Sequence, residues 1–123
     1  GEYLGGAICP GVQISLEALF KNTAKLPRVD MALPESVIGK STVESIQSGA
    51  IYGYVGLIDS MVVRMRNELG QKARAIATGG TGQLIASKTE TIEIFDPFLT
   101  LDGLRILYEK NRPSGPGKPT SSA

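Results

Sequence analysis

The chain has 123 residues, enough for one domain that buries roughly two-thirds of the surface its unfolded form exposes. Its 41% hydrophobic content is ordinary for a globular domain, no apolar run approaches the roughly 18 residues of a membrane span, and 13 basic against 12 acidic residues leave a net charge of +1, without the footprint of a nucleic-acid or anionic-membrane binder. Histidine and tryptophan are absent, which removes imidazole acid–base catalysis, Ser-His-Asp triads and histidine-ligated metals, so the expected partners are small molecules or protein and any chemistry falls to carboxylates or phosphate-binding backbone.

In chain order, Glu2 to Cys9 reads as a strand already under way at Gly1, which gives the chain the look of a piece that starts inside a sheet. Cys9 is the lone cysteine; its apolar neighbours predict a buried thiol in a reducing compartment, with the cytoplasm as the default. After Pro10-Gly11, the pattern Ile14, Ala18 and Leu19, widened by Leu16 and Phe20, predicts a helix over 12–24. Residues 25–40 contain Pro27, Pro34 and Gly39 and lack periodicity. A loop of that length carries function, or packs as an arm on a neighbouring subunit or on the domain's own edge.

Ser41 or Thr42 offers an N-cap for the longest regular segment, predicted over 43–69 and stopped by Gly70. Its stripe is Val43, Ile46, Ala50, Tyr54, Leu57, Ile58, Met61 and Met65. Gly49, Gly53 and Gly56 each cost this helix about 1 kcal/mol relative to alanine, and close approach of a partner helix, as at a dimer interface, would offset that cost. A second strand over 73–78 runs into Thr78-Gly79-Gly80 and a short helix over 82–86. Two glycines after a strand permit positive φ and close backbone approach, which suits a phosphate- or nucleotide-facing turn and equally a plain tight turn. A third strand is expected over 91–95, a turn at Asp96-Pro97, and a last helix over 101–109 capped by Thr100. From residue 112 to 123 the composition is Pro, Gly and Ser without an apolar anchor, and a disordered tail is expected. Asp30, Asp59 and Asp96 read as cap, turn or surface residues, with no catalytic role.

Taken in order, these segments resemble the carboxy-terminal half of the type III pantothenate kinases, bacterial members of the actin-like superfamily of acetate and sugar kinases. The resemblance rests on Tyr3-Leu4-Gly5-Gly6-Ala7-Ile8 with Pro10-Gly11, on Ser15-Leu16-Glu17-Ala18-Leu19, and on Ala24-Lys25-Leu26-Pro27-Arg28-Val29. It continues through Val37-Ile38-Gly39-Lys40-Ser41-Thr42-Val43 with Gln47-Ser48-Gly49, Gly53-Tyr54-Val55-Gly56 and Ile76-Ala77-Thr78-Gly79-Gly80. It closes on Asp96-Pro97-Phe98-Leu99-Thr100-Leu101, Gly103-Leu104 and Tyr108-Glu109-Lys110-Asn111, and so covers Gly1 to about Arg112.

The resemblance implies an α/β fold: a partial actin-like (ribonuclease H-like) lobe over 1–111, with a mixed sheet packed by helices and the long helix at a dimer interface. It implies transfer of the γ-phosphoryl group of ATP to pantothenate, the first step of coenzyme A synthesis, by a cytoplasmic homodimer that uses Mg²⁺ and a monovalent cation, K⁺ or NH₄⁺. Thr42 matches the family threonine that contacts pantothenate, with Ser41 standing where the family carries asparagine. Thr78, Gly79 and Gly80 match the nucleotide-side motif, followed by Thr81-Gly82-Gln83 in place of an apolar residue, alanine and proline. The family's catalytic aspartate, phosphate loops and cation ligands match nothing in this chain, so no catalytic residue is expected here and the chain alone is expected to be inactive. A non-catalytic accessory or regulatory protein on the same fold is the alternative. A free-standing dimerisation module is a third reading, disfavoured because its first strand would be left as an open edge.

Overall fold

A helix needs partners for its first free N–H groups, and Ser41 supplies one: its side chain accepts from the Glu44 N–H at 3.2 Å while the Glu44 carboxylate accepts from the Lys40 N–H at 2.7 Å. The computed structural model, which describes residues 1–23, 25–70 and 73–112, accordingly starts its longest helix at the next residue. The elements in chain order are α1 (Val12–Asn22), α2 (Thr42–Leu69), β1 (Ile76–Ala77), α3 (Gly82–Ala86), β2 (Ile94–Phe95) and α4 (Leu99–Asn111). The 28 residues of α2 span about 42 Å, and Gly70 ends it in the left-handed conformation at φ 63°.

The core lies between α1, α2 and α3. Val12 and Leu16 of α1, Ile46 and Ala50 of α2 and Ile85 of α3 are buried together. The face of α1 that turns inward is therefore Val12 and Leu16; Ile14 and Leu19, expected inside, are exposed. Leu26, Val29 and Met31 close over this core, so the loop over 25–40 packs on the domain's own edge. Helix α2 buries a second face as well: Ile51 is fully enclosed, and the buried Ser48 donates to the Val37 carbonyl. Residues 1–11 form no strand, and Tyr3, Leu4, Ile8 and Cys9 are exposed. No strand among the described residues runs alongside them to accept their hydrogen bonds, so the expected strand and the expected burial of the Cys9 thiol are both absent.

The sheet is small and parallel. β1 pairs with β2 in the register Ile76 to Ile94 and Ala77 to Phe95, extended by Glu93 N–H to Ala75 carbonyl at 3.0 Å and Asp96 N–H to Ala77 carbonyl at 2.9 Å. The expected strands over 73–78 and 91–95 thus contract to two residues each, and the sheet is not mixed among the described residues. Two residues per strand cannot hold a register unaided. The C-terminal half of α2 holds it: Arg66 Nε donates to the Ala73 carbonyl at 2.9 Å, and its Nη2 donates to the Glu93 carboxylate at 2.7 Å and to the Thr91 carbonyl at 3.4 Å. Two turns earlier, Asp59 accepts from the Thr91 hydroxyl at 2.6 Å, the Thr91 N–H at 3.0 Å and the Glu90 N–H at 3.1 Å. Partial burial raises the Asp59 pKa, but the Thr91 hydroxyl and the two backbone donors outweigh it and hold the carboxyl below its ordinary value of 3.8.

α4 begins two residues before the expected start, because the Asp96 carboxylate accepts from the Phe98 N–H at 2.9 Å and sets the turn that launches it; Thr100 lies inside the helix instead of capping it. No residue of α4 is buried and no other helix or strand among the described residues packs on it. Residues 113–123 of the expected tail lie outside the described residues.

Two outcomes follow from this packing. Ile51→Ala is expected to lower unfolding free energy by about 2–5 kcal/mol, read as a fall in the urea midpoint with unchanged slope. The folded Asp59 carboxyl titrates below its unfolded value of 3.8, so its stabilisation is fully present above that value and is lost as pH falls through the folded pKa. The stability difference between wild type and Asp59→Asn, measured by urea titration, is therefore expected to be constant from about pH 7 to 5 and to close below 3.8.

Candidate functional site

Two regions carry the residues singled out by sequence. The first is a groove of about 390 Å³ between α1 and the N-terminal half of α2. Its floor is Leu16, Ile46 and Ala50, and Thr42, Ser45 and Tyr54 bring hydroxyls to an otherwise apolar wall. With Ser41 acting as the N-cap, Thr42 is the first helical residue, exposed at this groove, and no hydrogen bond among the described residues uses its hydroxyl. Tyr54 is held in place by its phenol, which donates to the Pro10 carbonyl and lies 2.9 Å from the Ser15 hydroxyl, and so ties α2 to the start of α1.

The position of Thr42 depends on Gly39. A Cβ there would lie 2.6 Å from the Glu44 carbonyl carbon and 2.7 Å from the Ser45 Cα, so only glycine lets the loop pass over the first turn of α2. The sequence showed Gly39 only as a loop residue; its contact with a residue six positions on has no sequence signature. Gly49, Gly53 and Gly56, by contrast, have open space around each Cβ position. No helix of the described residues lies against them.

The second region is the turn after β1. Thr78, Gly79 and Gly80 are exposed, Gly79 adopts φ 99°, and its carbonyl accepts from the Gly82 N–H at 3.2 Å. Thr78 and Gly82 border a cavity of about 270 Å³ that reaches down to Ile58 and Ile85. Gly82 cannot bear a side chain freely either, because a Cβ would meet the Phe95 ring at 3.1 Å. Val12 and Tyr54 line both this cavity and the Thr42 groove, which makes the two regions neighbours across α2.

Asp59 and Arg66 are residues whose importance the sequence left unread. Asp59 was expected as a cap or surface carboxylate and does cap backbone, but across 31 residues of chain instead of within its own helix. Among the described residues no group of three or more His, Cys, Asp or Glu is placed to hold a metal ion, and none of the helices is long and apolar enough to cross a membrane.

Comparison with known proteins bears on this arrangement. Residues 1–64 match the family model described as type III pantothenate kinase. A type III pantothenate kinase from Anaeromyxobacter sp. is 58% identical over 112 residues, covering 91% of this chain and 44% of that protein. Those from Myxococcus xanthus and Geobacter sulfurreducens are 55% identical over 114 residues and 56% identical over 112 residues. The chain spans 44% of the length of each of these relatives. A solved structure from Campylobacter jejuni, described as a Baf family transcriptional activator, superposes with a TM-score of 0.60 over 88% of this chain and 48% of that one, at 22% identity, a likeness of fold alone. The α/β topology, the sequence match over the first 64 residues and the identities above 50% agree: this chain belongs to the type III pantothenate kinase family.

Proposed function

We propose that this chain is the carboxy-terminal, actin-like part of an enzyme that transfers the γ-phosphoryl group of ATP to the hydroxyl of pantothenate, giving 4′-phosphopantothenate and ADP. The observation that carries this reading is family membership. Thr42 contacts pantothenate: the Ser41 cap leaves its hydroxyl available to donate and to accept, and the groove beside it offers an apolar wall for a substrate that is part hydrocarbon. Thr78, Gly79 and Gly80 face the nucleotide with backbone, as the positive φ of Gly79 and its exposure allow.

Phosphoryl transfer passes through a loose transition state that rewards alignment and charge stabilisation more than covalent chemistry. This chain contributes alignment. The ligands of Mg²⁺ and of the monovalent cation, K⁺ or NH₄⁺, and the proton-accepting carboxylate are assigned to the part of the family protein that this chain does not span. The open glycine face of α2, at Gly49, Gly53 and Gly56, suits the close approach of a second subunit in a homodimer, and a cytoplasmic location accords with the substrates. The accessory-protein alternative gains nothing from the Campylobacter likeness, which concerns fold alone.

The test is pantothenate-dependent ADP release by the full-length protein that carries this chain. Thr42→Ala is expected to raise the KM for pantothenate about tenfold, the scale of one lost hydrogen bond to substrate, with Thr42→Ser retaining most of the affinity; absence of any turnover in Mg²⁺ and K⁺ would favour the accessory reading. Gly39→Ala is expected to damage the same constant more than the KM for ATP, because it displaces the first turn of α2, and equal effects on both substrates would count against the assignment of Thr42.

A further inference from the structure

The Thr78–Thr81 turn is fixed at both ends by β2. On one side Ala77 is paired with Phe95 and its carbonyl accepts from the Asp96 N–H; on the other, Gly82 sits against the Phe95 ring. Any slip of β2 along β1 therefore moves Thr78 and Gly82 together. The two-residue ladder does not resist such a slip, and the groups that do lie on α2. Arg66 bonds backbone just before β1, at Ala73, and just before β2, at Thr91, and pairs with Glu93. Asp59, on the same face of the helix about two turns earlier, takes both N–H groups of 90–91 and the Thr91 hydroxyl. Thr91 is itself largely buried, so losing Asp59 leaves this hydroxyl little access to a replacement partner.

We propose that Asp59 and Arg66, acting through Thr91, are positioning residues that set the register of the two strands and thereby the placement of the nucleotide-facing turn. The inference rests on the nucleotide role proposed above for that turn. Neither residue lines the Thr42 groove or the cavity beside the turn. Their effect falls mainly on ATP: both side chains bond the segments that lead into the strands carrying the turn, and Thr42 itself lies at the other end of α2, while its groove meets the cavity beside the turn only through Val12 and Tyr54.

The experiment uses the full-length protein, with ATP affinity measured by calorimetry and both KM values measured by ADP release, for wild type, Asp59→Asn, Thr91→Val and Thr91→Ser. Expected is a rise of about tenfold in the Kd and KM for ATP in Asp59→Asn and Thr91→Val, a much smaller change in the KM for pantothenate, and recovery in Thr91→Ser, which keeps the hydroxyl. Thr91→Val leaves both backbone bonds to Asp59 intact, so it reports even where Asp59→Asn fails to fold. Unchanged ATP affinity, equal weakening toward both substrates, or loss of folded protein in both variants would overturn the proposal. Wild type that binds ATP without turning over pantothenate would remove the kinase reading while calorimetry still decides the positioning role; wild type that binds no ATP would overturn both.

Discussion

One guanidinium group reaches backbone at the entrance to both strands of the sheet. Arg66 projects from the last turns of a 28-residue helix and donates to carbonyls at Ala73 and Thr91, with the Glu93 carboxylate fixing its fork. Parallel strands cannot be joined by a tight hairpin, so their relative position must come from whatever lies between or across them. Here the connection is α3, five residues long, which packs against both strands with Phe95 at its first turn but bridges them by no hydrogen bond among the described residues. The long helix bridges them from outside the sheet, and the Asp59 carboxylate repeats the grip two turns away. A multiply bonded, charge-assisted arrangement of this kind is stronger than the surface pairs Arg105 makes with Asp102 and Glu109, which are solvent-exposed and contribute little.

From this dependence it follows that α2 is the member to which α1, α3 and the sheet are referred. Its N-terminal turn carries Thr42 and is pinned by Ser41, Glu44 and Gly39; its middle supplies Ile46, Ala50 and Ile51 to the interior; its C-terminal half holds the sheet. The two proposed substrate regions thus share one rigid rod. Three glycines in such a rod weaken it, and among the described residues nothing occupies the space they leave, so the cost is not recovered there.

Local signals located the four helices of the described residues: apolar spacing for α1 and α4, the Ser41 cap and the Gly70 stop for α2, and the glycine turn before α3. On α1 periodicity caught half of the inward face: Leu16 and Phe20 meet the core as expected, while Ile14 and Leu19 are exposed and Val12 takes their place, because only the position of α2 chooses among residues that fit the period equally well. The strands were expected at five or six residues and reach two, since β-branched composition marks where a strand is tolerated while pairing needs a neighbour. The same reason accounts for residues 1–11. Of the site, the Thr78-Gly79-Gly80 turn was legible because positive φ selects glycine, and Gly79 adopts it. The long-range bonds of Asp59 and the close approach of Gly39 were not, because each depends on a partner whose proximity is a property of the fold.

α4 leaves a different kind of trace. It has 13 residues, shows Leu101, Leu104, Leu107 and Tyr108 to the outside, and has no helix or strand against it among the described residues. A helix of that length without tertiary support is only marginally stable in water. Its amide protons are thus guarded by the local helix–coil equilibrium alone, while those of α2 open only when the interior comes apart. Within one short chain the hydrogen-exchange rates should therefore divide into two populations, and the slower one marks the part of the sequence that carries its own means of staying folded.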